Sequence, residues 1–185
     1  MSYQLTEFPV APTMQRMVDD ILNKSINHYA SALIVGWRDI SYNKIFHNLI
    51  EAGYTNIVLI DIYPPNIELF QQQKFAEVTP YVLDVRKSLE NFGQNSFNLI
   101  VFSQGPEHLE KNEAFHLINS QFKRMSTYII IETPRGEYPQ DELYGNEAEK
   151  HLSTWDYDDF HGLGFITSPG EKEKHIIGIW KKINS

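Results

Sequence analysis

The sequence predicts a doubly wound α/β domain: a mostly parallel sheet with helices on both faces. Three observations carry this. Short apolar runs alternate with helical patterns from residue 14 to residue 132, the rhythm of successive βαβ units. The runs Ala32–Val35 and Ile57–Ile60 are continuously apolar, as strands covered on both faces require. After Thr133-Pro134 the rhythm stops, and the chain closes with two strand-like runs at 165–167 and 176–180.

The elements follow in order. Residues 1–30 hold an irregular arm with Pro9 and Pro12, then a helix over 14–29 in which Met17, Ile21, Leu22 and Ile26 share a face. Ala32–Val35 is the first strand. Ser41–Ala52 is a helix with Ile45, Leu49 and Ala52 inward, stopped by Gly53. Ile57–Ile60 is the second strand, ended by Pro64-Pro65, and 66–75 form a short helix. Tyr81–Val85 is a third strand, Phe97–Phe102 a fourth and Tyr128–Glu132 a fifth, with a helix over Glu113–Lys123. Residues 134–155 begin polar and rich in Pro, Gly and Glu, and read as a lid loop. Residues 157–163 form a last short helix, and the two final runs pair antiparallel across Ser168-Pro169-Gly170. No repeat, low-complexity tract or linker divides the chain, so 1–185 reads as one domain.

Composition narrows the function. A chain of 185 residues with 42% hydrophobic content is enough for one packed core. Its net charge of −8 and the absence of a basic patch argue against nucleic acid as a partner. There is no cysteine, which excludes disulfides, thiolate nucleophiles and Cys-ligated metals. No apolar run approaches the ~20 residues of a membrane span, and the N-terminus has no signal-peptide pattern. The expectation is a cytoplasmic protein with no membrane partner. The sequence does not reveal its oligomeric state.

Open α/β sheets bind ligands beyond the carboxyl ends of their strands, where strand order reverses. That rule selects the loop at Gly36, Asp61, the pair Asp84-Val85, and the loop Ser103-Gln104-Gly105-Pro106. An apolar run ending on glycine, then a helix, then an apolar run ending on an acid is the order that holds a ribose in nucleotide-binding folds. Asp61 lies 25 residues after Gly36, and a carboxylate accepts from two neighbouring hydroxyls. Each position also has a structural reading. Gly36 serves an ordinary turn, Asp61 caps the next helix, and Asp84 is a surface turn acid rather than a partner for an adenine amine. Glu107-His108 reads as an acid/base pair at the mouth of the fourth strand, or as a helix start with Glu107 on the dipole. His151 and Trp155, in the last part of the lid segment, are candidates to face a substrate. His161 and His175 read as surface residues, and His28, His47 and His116 as structural. No His/Asp/Glu cluster shows metal-ligand spacing, no nucleophile motif appears, and no residue is assigned as catalytic.

The residues Ala32-Leu33-Ile34-Val35-Gly36, Ile57-Val58-Leu59-Ile60-Asp61-Ile62, Leu83-Asp84-Val85, and Phe97 to Gln104 running on to Glu107-His108-Leu109 together resemble the class I S-adenosylmethionine-dependent methyltransferases of small-molecule type. The last stretch is the most specific. The segment Gly145 to Trp155, followed by Asp159-Phe160 and Leu163-Gly164-Phe165, is similar to one that precedes the sixth strand in several members. The likeness covers residues 30–180. It implies a Rossmann-like seven-stranded sheet, mostly parallel with one antiparallel strand near the C-terminus. It also implies S-adenosylmethionine as cofactor, held around Gly36, Trp37, Arg38, Asp61, Ile62, Asp84, Val85, Ser103 and Gln104. Substrate-side candidates are His108, His151 and Trp155, with no metal.

The chain departs from the family in the first loop. Ile34 stands where the family has an acid, and Arg38 and Ile40 stand at its second and third glycines. A cation at Arg38 repels the cofactor's sulfonium unless it points outward or is paired by Asp39 or the cofactor carboxylate. Since the sulfonium is itself a strong methyl donor, alignment and exclusion of water are the protein's main tasks, and a general base is optional. The first functional expectation is therefore methyl transfer to a small-molecule acceptor that the sequence does not identify. The second is a catalytically silent methyltransferase fold that binds a partner or another ligand, favoured by the degenerate glycine loop. A nicotinamide-dependent oxidoreductase fits less well, because it requires that loop more strictly.

Overall fold

The structure, a computed structural model, describes residues 18, 19, 21, 30–170 and 174–183. Most of the helix expected over 14–29, and His28 with it, lies outside these residues. Val18 and Ile21 are helical and buried.

Strand β1 (Ala30–Val35) leads through a 3-10 turn at Ile40–Tyr42 into helix α1 (Asn43–Glu51). Strand β2 (Tyr54–Asp61), α2 (Pro64–Gln71), β3 (Val78–Val82), α3 (Ser88–Phe92) and β4 (Phe97–Ser103) follow. Helix α4 (Lys111–His116) runs on as a π-helical stretch, Leu117–Phe122, and a final turn, α5 (Lys123–Met125). Strand β5 (Ser126–Pro134), α6 (Tyr157–Gly162), β6 (Ile166–Pro169) and β7 (His175–Lys181) complete the chain.

The seven strands form one sheet in the order β3-β2-β1-β4-β5-β7-β6. The first five are parallel, and β7 runs antiparallel between β5 and β6. This is the doubly wound seven-stranded sheet with its C-terminal hairpin. Strand order reverses between β1 and β4, so a crevice opens at their carboxyl ends.

Period-two alternation sends neighbouring side chains into two cores. Ile34, Leu59, Val101 and Ile130 face Phe46, Leu49, Ile67 and Phe70 of α1 and α2. Leu33, Ile60, Ile100 and Ile131 face Ala114, Leu117, Ile118, Phe122 and Phe160 on the other side. A strand buried on both faces has no polar side to alternate, which is why these runs read as continuously apolar.

Two boundaries differ from the sequence expectation. Pro64 and Pro65 open α2 rather than merely ending β2, because proline's missing N–H costs nothing in the first turn. The third strand is Val78–Val82, not 81–85. The Asp84 side chain accepts from the Arg86 N–H at 2.9 Å and starts a 3-10 turn at Val85–Lys87. Leu83 and Asp84 thus lie in the loop beyond the strand's carboxyl end.

Candidate functional site

A cavity of about 440 Å³ occupies the crevice between β1 and β4. Its floor is the set of loops that leave the strands: 35–38 after β1, 60–62 after β2, 83–86 after β3 and 102–105 after β4. Its roof comes from 138–152, through Tyr138, Gln140, 146–149, His151 and Leu152. These roof residues belong to the segment 134–155. It is anchored where the N–H groups of Leu152 and Ser153 donate to the Glu107 carbonyl at 2.8 and 3.1 Å.

Gly36 turns the chain at φ +84°, a left-handed conformation that costs a side chain free energy. Its N–H donates to the Ile60 carbonyl at 2.8 Å. A Cβ here would meet no atom within 4 Å, so the backbone is bare towards the cavity. Trp37 is buried, with its ring edge on Phe70 and its indole N–H on Asn43 Oδ1 at 3.0 Å. It anchors the loop to α1 and α2 instead of filling the crevice. Arg38 turns to its neighbour, with Nε 3.3 Å from Asp39 Oδ2. The charge expected to oppose a sulfonium is therefore paired.

Asp61 is buried and lines the cavity. Its Oδ2 accepts from the Trp37 N–H at 3.0 Å and from Asn66 Nδ2 at 3.1 Å, and its Oδ1 accepts from the Tyr63 N–H at 2.7 Å. Burial raises its pKa, against the lowering effect of these donors. A carboxylate has about four acceptor positions, so three are used by the protein. Asp61 ties the loops of β1 and β2 together, and the helix N-cap is Tyr63. Ile62 beside it is half exposed at the cavity edge.

Asp84 is gripped by the Arg86 guanidinium, Nε at 2.9 Å from both oxygens and a terminal nitrogen at 2.6 Å from Oδ2. Its carboxylate is engaged with that cation; Leu83, Val85 and the neighbouring backbone remain as cavity wall. Ser103 Oγ donates to Glu132 Oε2 at 3.3 Å, and the Gln104 N–H to the Glu132 carbonyl at 2.7 Å.

One histidine and one tryptophan depart from expectation. His175 is not a surface residue: it is buried on the cavity wall, its Nδ1 3.0 Å from Glu132 Oε1. Trp155, expected to face a substrate, does not line the cavity. It is 1% exposed, stacks on Phe115 at 5.5 Å and packs in the second core under Lys111. Its place in the chain does not show this; the indole points inward, onto Phe115 and Phe160. His161 is exposed, as expected, with Nε2 3.0 Å from Thr167 Oγ1.

Glu107 does more than start a helix. It is 2% exposed, and Oε2 accepts from Thr133 Oγ1 at 2.8 Å. Burial pushes its pKa up to about 8. His108 and His151, from segments 43 residues apart in sequence, face each other with ring centroids 4.9 Å apart. Burial lowers the pKa of both imidazoles and favours their neutral form. Sequence spacing could not reveal this grouping, because the lid supplies one of its members.

The described architecture is that of the class I S-adenosylmethionine-dependent methyltransferases. Solved structures of that fold superpose along almost the whole chain. An O-methyltransferase family protein from Burkholderia thailandensis matches with a TM-score of 0.59 at 10% identity, over 92% of this chain and 56% of its own. The small RNA methyltransferase HEN1 matches with a TM-score of 0.62 at 14% identity, over 100% of this chain and 27% of its own. The Burkholderia thailandensis 1,6-didemethyltoxoflavin-N1-methyltransferase, solved with 1,6-didemethyltoxoflavin and S-adenosylhomocysteine, matches with a TM-score of 0.56 at 16% identity, over 91% and 78%. This chain thus spans little more than half of the first of these and about a quarter of the second. No protein-family model and no curated protein matches the sequence. Among the described residues, no helix is long and apolar enough to cross a membrane.

Proposed function

We propose that the protein binds S-adenosylmethionine in this cavity and transfers its methyl group to a small-molecule acceptor entering beneath the 138–152 roof. The observation that carries this reading is the bare backbone at Gly36, where no atom lies within 4 Å of a notional Cβ, at the switch point of a methyltransferase-type sheet. The lining charge supports it. Five carboxylates line the cavity against two guanidinium groups, and both of those are paired, Arg38 with Asp39 and Arg86 with Asp84. A net-negative, partly enclosed cavity attracts a sulfonium cation.

When bound, the cofactor supplies an electrophilic methyl on a positively charged sulfur. The protein's own residues do the rest. Gly36 and the Trp37 backbone would lie against the amino-acid end, with Asp61 keeping its fourth acceptor position for a ribose hydroxyl. Leu83 and Val85 would flank the base, and Ser103 and Gln104 would border the methyl. Glu149 faces the interior with a pKa raised by burial and by Asp61, and lowered by Arg38; a bound cation would keep it ionised. With a ligand bound beneath it, the roof would limit the entry of water, which would strengthen each of these interactions.

A second reading has its own observation. Both Asp61 oxygens and the Asp84 carboxylate already serve protein donors, which suits a fold that has kept the frame and lost the cofactor. Calorimetric titration with S-adenosylmethionine and S-adenosylhomocysteine separates the two. Micromolar binding, weakened by Ile62→Arg at the exposed cavity edge, supports the enzyme reading. No binding at millimolar ligand supports the silent fold.

A further inference from the structure

Glu107, His108 and His151 come from the turn after β4 and from the roof. One carboxylate oxygen and one nitrogen from each ring all lie within 4.8 Å of one another. A divalent ion with bonds of about 2.1 Å holds its ligands roughly 3 to 3.5 Å apart, so small ring rotations would close this set. We propose that these three side chains form a site for a divalent transition-metal ion on the cavity wall.

Three independent features point to a positively charged occupant with open coordination. The first is an orphaned acceptor. Thr133 serves Oε2 of Glu107, while Oε1 is fully buried and has no hydrogen-bond partner. Leaving such an oxygen without a partner costs free energy that a cation would recover.

The second feature is the orientation of both imidazoles. Carbonyls of Lys150, Glu149 and Gln104 lie near the His108 ring, and the one in hydrogen-bond geometry is Lys150's, 3.3 Å from Nδ1. The Tyr138 carbonyl is 2.6 Å from Nδ1 of His151. A carbonyl only accepts, so each Nδ1 carries the proton of the neutral ring, and each Nε2 keeps a lone pair. Backbone carbonyls on the far nitrogen are how metal-bound histidines are held. The Thr133 hydroxyl orients the carboxylate in the same way.

The third feature is the donor set. Two imidazoles and one carboxylate suit zinc, manganese or iron better than magnesium or calcium, which prefer all-oxygen surroundings. Three protein ligands leave coordination positions open, the pattern of reactive rather than structural sites. His108 and His151 both line the cavity. An acceptor carrying an oxygen donor would fill those positions. That last clause rests on the methyl-transfer reading, whereas the ion site does not.

The test uses the full chain, stripped with chelator, titrated with Zn²⁺ by calorimetry and with Mn²⁺ by electron paramagnetic resonance. One equivalent of at least one ion is expected to bind, with affinity reduced by His151→Ala and by His108→Gln. The loss should be at least about tenfold, the scale on which even outer-shell partners act. His161→Ala, remote from the site, is expected to bind as the parent does. Neither ion binding, or binding that both site variants retain, would overturn the proposal. Titration of the same samples with S-adenosylhomocysteine keeps the two readings apart. Ion binding without nucleoside binding overturns methyl transfer and leaves the ion site standing.

Discussion

The backbone N–H of Trp37 donates to Oδ2 of Asp61 at 3.0 Å, so the residue ending β2 fixes the loop leaving β1. The same carboxylate holds the Tyr63 N–H and the Asn66 amide. Asp61→Ala strands these donors around a buried gap. Each unmet buried donor costs about 1–3 kcal/mol, and some find water, so the expected loss of stability is about 3 kcal/mol. Urea unfolding measures it. A change below about 1 kcal/mol would mean that the carboxylate serves a ligand and not the frame.

Trp155 belongs to the core, although its position after the roof suggested contact with a substrate. Trp155→Ala is expected to cost about 4 kcal/mol, the scale of deleting a buried large aromatic. At a temperature where the variant remains folded, ligand affinity in the cavity should be little changed. Paired unfolding and binding titrations check both halves.

Gly178 in β7 lies against Phe160 of α6, where an added Cβ would fall 2.4 Å from the ring's Cδ1. Gly178→Ala must displace that ring or the strand. Overpacking of this kind costs about 1–3 kcal/mol, visible as a lowered Tm. Phe160→Leu in the same chain should recover part of it by making room.

Asp84 gives a prediction with a sign. Burial raises its pKa, but hydrogen bonds and charge from Arg86 outweigh that, and the net shift is downward. Its folded pKa thus lies below the unfolded value of about 3.9. The stability it contributes is present above that value and is lost as pH falls through the folded pKa. Arg86→Ala should move the Asp84 pKa up in an NMR titration. Because the Arg86 side chain is 48% exposed, stability at neutral pH should change by less than about 1 kcal/mol.

The frame of the protein was legible because buried parallel strands leave an unmistakable trace. Ile57-Val58-Leu59-Ile60 has no polar face, and Gly53 marks the helix end before it with φ +85°. Three of the four loops that floor the cavity, at 35–38, 60–62 and 102–105, follow from the same trace, since each lies where a buried apolar run stops. What could not be read was tertiary. Tyr81 and Val82 are exposed on an edge strand, so the pattern around them carries no register, and the strand begins three residues before the expected Tyr81. His175 reads as polar and near a charged turn, and only the pairing of Pro134 with His175 across β5 and β7 brings it beside Glu132. The meeting of Glu107 and His108 with His151 depends on how the roof folds back, which no local periodicity encodes.

The most direct measurement is a crystal structure of the protein grown with saturating S-adenosylhomocysteine. The expected result is density for the nucleoside in the cavity between the Gly36 loop and Leu83–Val85. Its ribose should lie within hydrogen-bond distance of Asp61, with the Trp37–Asp61 contact retained. A structure in which the ligand is absent from the cavity at saturation, or bound away from Gly36 and Asp61, would contradict it.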